Sequence, residues 1–289
     1  MKGSGAAGAA ITFVTAMPTG TGSAAGLELA ARATVEMEPA SAYRATLDAK
    51  SDSPLARAIL TRAVREWAPS PDLRLEARVV SPIPAGRGLK SSSAVSGALA
   101  LAVAQALGRK VSALEVAQLT SAVAQSIGQS ATGAFDDCLA GLWPGIHVTD
   151  NRLRRLLRTD PIHPDWQVLL WVPNSEHRPS PELVSAFLPE VAEGMEAVRL
   201  AEEGHSLEAL ALNTALVERV LGYPYALLRR RLVDAGARAC GVSGLGPTLA
   251  VIVTGSKIDS VRAVLSLEPG RLLRTSFRRE PTPGVTGLA

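Results

Sequence analysis

"SPIPAGRGLKSSSAVSGALALAVAQALG", residues 81–108, places glycines, a single lysine and a run of serines directly before a long stretch of small apolar residues. Glycines let backbone amides approach an anion closely, and a helix start turns unpaired N–H groups and a partial positive charge toward it. The serines offer hydroxyls that can cap the helix or reach phosphate oxygens or a magnesium ion. Lys90 adds a full charge against a polyphosphate. From about Ser92 to Leu107 the residues are Ala, Val and Leu all round, which predicts a helix buried on most of its surface.

Two familiar phosphate motifs do not fit. The P-loop pattern needs glycines where Leu89 and Pro84 stand, and the dinucleotide pattern needs one at Ser91. On residue types alone, an N-capped helix and an anion-binding helix start remain equal readings.

Outward from this loop, residues 11–16 and 27–37 read as strands, the second with apolar and polar residues alternating. Residues 54–67 have helical spacing with Pro54 near the start, and residues 73–81 form another strand. A helix is expected over 112–126, where Ser112 and Glu115 make a capping box. A short helix follows in GQSATGAFDD, then a strand at 145–150, a turn at Asn151 and a basic strand over RLRRLLR. The second half begins with a strand at 166–172, continues with two or three helices over 181–236, and reaches a second glycine-rich loop and strand in GVSGLGPTLAVIVTG. A helix at 256–267 and a strand near 271–277 complete it. Strands and helices mix without the strict alternation of a doubly wound parallel sheet, which indicates two α/β domains, residues 1–155 and 156–289.

Composition narrows the functional classes. Over 289 residues, 47% are hydrophobic and 20% charged, as in globular proteins, and the formal net charge is only +3. That balance argues against a dedicated nucleic-acid binder, as does the lack of aromatic residues within the runs Arg152–Arg158 and Arg229–Arg231. The basic residues are mostly arginine; the lysines are Lys2, Lys50, Lys90, Lys110 and Lys257, so a lysine in the loop stands out. Cys138 and Cys240 have no metal-ligand spacing and read as buried thiols. His147, His163, His177 and His205 show no ligand spacing either, and are expected at or near the surface. The N-terminus carries one charge and no sustained apolar core, and the segment 94–107 is too short to span a bilayer. A cytoplasmic protein with no membrane partner is expected.

Other loops add to the first. Gly241–Thr248 can close its amides over the same phosphates, through Gly244 and Gly246. Thr132–Asp137 brings two adjacent carboxylates, Asp136 and Asp137, to a helix start. There they either cap the helix or serve a substrate hydroxyl or a magnesium ion.

These elements together resemble the GHMP superfamily of small-molecule kinases. Its central motif P-x-x-x-G-L-G-S-S-A is similar to Pro84, Ala85, Gly86, Arg87, Gly88, Leu89, Lys90, Ser91, Ser92 and Ser93, with lysine for the last glycine and serine for the alanine. The C-terminal motif resembles Gly241–Thr248, and the middle region resembles Gly133–Gly145. "GLKSSSA", "TGAFDD" and "VTDN", with Thr19–Gly22 and Gly26, are most similar to the archaeal-type shikimate kinases. In that group a lysine often stands where this chain has Thr21.

The resemblance implies an α+β fold with an N-terminal ribosomal-S5-like domain and a C-terminal ferredoxin-like domain. It implies ATP-dependent phosphorylation of the shikimate 3-hydroxyl, with ATP and Mg²⁺ required. Residues 84–93, Gly244 and Gly246 would hold the ATP phosphates, with Lys90 balancing their charge and Ser91 or Ser92 binding Mg²⁺. Asp137, with Asp136 beside it, would orient or deprotonate the hydroxyl; counting from the flanking glycines does not separate the two. An arginine should clamp the substrate carboxylate, with Arg178 as a candidate. Another GHMP activity, such as homoserine or mevalonate kinase, and a non-catalytic nucleotide- or RNA-binding module stay open as alternatives.

Overall fold

The computed structural model describes residues 1–174 and 182–289. Its first sheet contains β1 (Lys2–Val14), β2 (Thr21–Pro39), β3 (Arg44–Leu47), β4 (Leu73–Val80), β5 (Ile146–Asp150) and β6 (Arg155–Asp160). The order is β3-β4-β2-β5-β6, with β1 also paired to β2. All pairings are antiparallel except β3–β4. Strand β2 is long enough to serve two neighbours, pairing Arg32–Pro39 with β4 and Thr21–Ala25 with β5. From Ala31 to Glu38 its residues alternate between buried and exposed, as the apolar–polar pattern predicts.

Four helices accompany this sheet: α1 (Pro54–Trp67), α2 (Ser91–Ala106), α3 (Ala113–Ser126) and α4 (Phe135–Ala140). The Ser53 hydroxyl accepts from Ala56 N at 3.1 Å, with Pro54 in the first turn. Ser112 caps α3 by accepting from Glu115 N at 3.1 Å. Helix α2 is buried along most of its length because β1 comes so close to it. A Cβ on Gly5 would strike the α2 backbone at Ala98 O, so only glycine allows this approach.

The second sheet holds β7 (Trp166–Val172), β8 (Ala239–Val242), β9 (Leu249–Thr254) and β10 (Arg271–Ser276), in the order β10-β7-β9-β8 and antiparallel throughout. Helices α5 (Glu182–Ala186), α6 (Val191–Glu202), α7 (Ser206–Leu221), α8 (Ala226–Asp234) and α9 (Ile258–Leu265) complete the chain. Helices α6 and α7 reach back to the first sheet, where Ala197, Val198, Ala201 and Ala209 pack with Val14 and Val148. The C-terminal tail returns as well: Phe277 is fully buried and bridges to Leu27, and Ala113 N donates to Gly287 O at 2.9 Å.

The mixed α/β architecture is the expected one. Strand β1 begins at Lys2 rather than near residue 11, since glycine and alanine side chains carry no strand periodicity. Strand β3 was not anticipated, and more helical pieces fill 182–234 than the two or three expected. Among the described residues, no helix is long and apolar enough to cross a membrane.

Candidate active site

Helix α2 starts from an unusual residue. Lys90 is its N-cap in the left-handed conformation (φ 61°, ψ 34°), and no side chain caps the first turn. For a non-glycine residue that conformation costs about 1–2 kcal/mol. The serines therefore do not cap the helix: Ser91 and Ser93 are half-buried within its first turn, and Ser92 is exposed. The first-turn amides have no side-chain cap, which is the arrangement that suits an incoming anion.

The second glycine-rich loop closes on this start, as the sequence suggests. Gly88 (φ 77°) lies so near the loop that a Cβ there would strike Ser243 O, and the Ser243 hydroxyl donates to Gly88 O at 2.8 Å. A Cβ on Gly244 would lie 2.6 Å from Lys90 Nζ. The loop is braced from behind by two tyrosines that sequence reasoning missed. Tyr223 Oη donates to Leu245 O at 2.7 Å and Tyr225 Oη to Pro247 O at 3.0 Å, and their rings stack 5.2 Å apart. The only sequence signal for this brace is the compact Tyr223-Pro224-Tyr225. Among the other loop residues, Arg87 Nη1 donates to Pro173 O at 2.9 Å, and the Leu89 side chain is buried in the core. Pro84 is half-buried, while Ala85 and Gly86 are exposed at the outer edge.

Helix α4 brings the carboxylates. It also starts from a left-handed non-glycine residue, Ala134 (φ 51°), again without a side-chain cap. Asp136 and Asp137 are therefore first-turn residues rather than caps, and they are only 4% and 6% exposed. Lys90 Nζ and Asp137 Oδ2 form an ion pair at 3.0 Å, joining the two helix starts. Burial, then the neighbouring Asp136 carboxylate, push Asp137 up to about 7 against the opposing pull of Lys90. Its other oxygen, Oδ1, is buried without a hydrogen-bond partner among the described residues.

Asp136 is held differently. Its Oδ1 accepts from Asn151 Nδ2 at 2.8 Å, and its backbone N–H donates to Asn151 Oδ1 at 3.1 Å. Thr149 Oγ1 donates to the same Asn151 oxygen at 2.7 Å. Asn151, expected to make a turn and part of the VTDN motif, is fully buried and anchors α4 to the end of β5. On the opposite side Gly22 backs the carboxylate, since a Cβ there would sit 2.5 Å from Asp136 Oδ2. Thr21 belongs to the adjoining turn, where its N–H donates to Thr19 Oγ1 at 3.1 Å.

One surface expectation is overturned. His147 is fully buried, with its ring nitrogens 3.0 Å from Thr159 Oγ1 and 3.0 Å from Trp143 O. Burial lowers its pKa to about 4, so it is a neutral core histidine. Strand β5 is flanked on both edges, and a residue with two local partners can be buried there. Both cysteines are free and buried, as expected. Arg178 and His177 lie outside the described residues.

Comparison with known proteins places this geometry. Residues 55–145 match the GHMP kinases N terminal domain. The chain is 35% identical to a shikimate kinase of Pyrococcus abyssi over 259 residues, covering 87% of this chain and 92% of that protein. It is 31% identical to a shikimate kinase of Archaeoglobus fulgidus, covering 96% and 93% of the two chains. Among solved structures, homoserine kinase from Cytophaga hutchinsonii superposes with a TM-score of 0.76 at 14% identity, covering 96% of each chain, a likeness of fold alone. With the loop, the carboxylates and these relatives in agreement, the chain belongs to the GHMP kinases and, within them, to the archaeal shikimate kinase family.

Proposed function

We propose that this protein transfers the γ-phosphoryl group of ATP to the 3-hydroxyl of shikimate, giving shikimate 3-phosphate. The observation that carries the reading is the 3.0 Å contact between Lys90 and Asp137, which joins a phosphate-facing loop to a buried carboxylate pair. The shikimate kinase names of the archaeal relatives support the acceptor.

Phosphoryl transfer passes through a loose transition state and asks the protein chiefly for positioning and charge stabilisation. The backbone of residues 84–93, with Gly244 and Gly246, holds the phosphates, and Lys90 balances their charge. Asp137 accepts the proton of the acceptor hydroxyl, a role suited to a carboxyl poised near 7. Asp136, pinned by Asn151, keeps Asp137 raised and shapes the acceptor side.

Magnesium is held by few protein oxygens, the rest coming from phosphate and water. The hydroxyls of Ser91 and Ser92 are oxygens of that kind, and the unpartnered Asp137 Oδ1 is a further one within the same pair of helix starts, so the residues fit. When bound, the ion neutralises charge on the phosphate oxygens.

The partners are small molecules, and the site of action is the cytoplasm. The arginine runs lend support to the first point, since Arg158, Arg229 and Arg231 in them are paired with Asp160, Glu218 and Glu268. The free thiols support the second.

ADP release measured with ATP, Mg²⁺ and a panel of acceptors tests the reading. Shikimate-dependent release is expected; turnover of homoserine or mevalonate instead of shikimate overturns the acceptor. No turnover with any acceptor favours a binding module.

A further inference from the structure

The two sheets meet along a cleft of about 690 Å³, to which β2 contributes Glu28 and Leu29, β7 Trp166, and β10 Arg274 and Ser276, with Arg279 beyond it. A bulge shapes the β2 side. Gly8 of β1 pairs with Ala30 and Ala10 with Gly26, so residues 27–29 stand against Ala9 alone. Between its pairings with β5 and β4, strand β2 takes up the tail instead: Phe277 bridges to Leu27, and Arg278 N donates to Gly26 O at 2.8 Å. The cleft is remote from the Lys90–Asp137 pair. Strand β9 starts at Leu249, next to the glycine loop, and ends at Thr254 opposite Trp166, about 17 Å away.

Positive charge gathers here without acids to match it. Arg279 Nη2 donates to three backbone carbonyls, of His163 at 3.2 Å, Pro164 at 2.6 Å and Trp166 at 3.2 Å. Those bonds fix the guanidinium but leave its charge unbalanced, and its Nε and Nη1 make no bond among the described residues. Arg274 Nη2 donates to the neutral Gln167 Oε1 at 2.8 Å. Both arginines are exposed. Arg278 is only 5% exposed, and its Nε has no hydrogen-bond partner among the described residues. Burial disfavours its charge, and the Glu28 carboxylate offsets this. Glu28 is thus already drawn on by Arg278, and the charges of Arg274 and Arg279 remain for a ligand. The opposite wall is apolar and preformed, since the Trp166 ring rests against His163 and Phe277 with centroids 5.8 and 6.3 Å away.

We propose that this cleft is a second ligand site, which takes a small phosphate monoester with an apolar body. The phosphate meets the forks of Arg274 and Arg279 and the Ser276 hydroxyl, and the apolar body lies on Trp166 and Leu29. A phosphate monoester carries a charge of about −1.5 to −2, which two unmatched guanidiniums balance. The volume is that of an ordinary small-molecule site. The proposal goes beyond the kinase reading and does not depend on the acceptor.

Phenyl phosphate, titrated calorimetrically into the protein saturated with ADP and Mg²⁺, tests it. Occupying the phosphate loop in this way keeps the two sites apart. Wild type is expected to bind phenyl phosphate, and to bind inorganic phosphate about tenfold more weakly, for want of the apolar contact. Arg274→Glu, at an exposed position on an edge strand, should weaken phenyl phosphate about tenfold or more, as for loss of a charge-assisted hydrogen bond. Arg274→Gln should weaken it in the same direction, and confirms the result if the reversed charge disturbs β10. Arg44→Glu makes the same charge change on β3 and should leave binding unaltered. Absence of binding to wild type at millimolar ligand overturns the proposal, as does binding that only the ADP-free protein shows. Equal weakening by Arg44→Glu, or full binding by Arg274→Glu, overturns it too. Equal affinity for inorganic phosphate removes the apolar body from the ligand.

Discussion

Helices α2 and α4 begin alike and end up serving opposite charges. Each starts from a left-handed non-glycine residue, Lys90 or Ala134, and neither start has a side-chain cap. At α2 the first turn holds serines reaching the surface, with no acidic residue. At α4 the first turn holds two buried carboxylates. A helix start favours a negative charge in either case. The difference is its source: α4 carries its own anions in the chain, whereas the first turn of α2 has none. Lys90 belongs to both, since it begins one helix and pairs with an acid of the other.

Removing the chain's own anion should break this pairing most severely. Asp137→Asn is expected to lower kcat by about 10³-fold, within the usual range for loss of a general base. Its ADP release is measured beside that of Asp136→Asn, which should lose less because Asp136 acts through its neighbour. A larger loss in Asp136→Asn would exchange the two roles.

Substituting the shared residue sharpens the comparison by separating charge from backbone. Lys90→Ala and Lys90→Gly should each lose about 10²-fold in kcat/KM, the scale of one lost charge-stabilising group. Their stabilities should differ: the left-handed conformation favours the glycine variant over the alanine one by about 1 kcal/mol, read from chemical denaturation. Equal stabilities would mean that the left-handed start is not maintained without the lysine.

The pH profile probes the same pair more gently. A base must be ionised to accept a proton, so kcat should fall as pH drops through about 7, where Asp137 becomes protonated. Asp136 raises that pKa and Lys90 lowers it. Asp136→Asn should therefore move the acid limb to lower pH, and Lys90→Gly should move it to higher pH. Shifts of the opposite sign would remove Asp137 from the proton transfer.

What the sequence made legible follows the same division. The α2 start was readable because glycine, lysine and serine carry their roles in their own chemistry; Pro54–Trp67 was readable from its helical spacing and Trp166–Val172 as an apolar run. The first half of β1 was not, because Gly3 and Gly5 matter for the side chains they lack, against a helix about a hundred residues away. Asn151, although part of the VTDN motif, and Tyr223 gave no sign of their partners. Each acts through a tertiary contact, on Asp136 and on the Leu245 carbonyl respectively, and a lone polar or aromatic residue at a turn has no periodicity to mark it. The carboxylates themselves were found, but only the packing of α4 gave them unlike surroundings.

The smallest effect concerns the hydroxyls at the outward-facing start. Ser91 is half-buried in the first turn of α2, whereas Ser92 is exposed. A hydroxyl that is partly fixed by its surroundings loses less freedom on binding a cation than one free in solvent. Ser91→Ala should accordingly raise the Mg²⁺ concentration for half-maximal activity by about tenfold, and Ser92→Ala by less. Neither should change the pH limb, because Asp137 and Lys90 remain in place. If both titrations match wild type, the α2 start works through its amides and Lys90 alone. The cation would then have to be held from the α4 side, where Asp137 Oδ1 is a buried oxygen without a partner among the described residues.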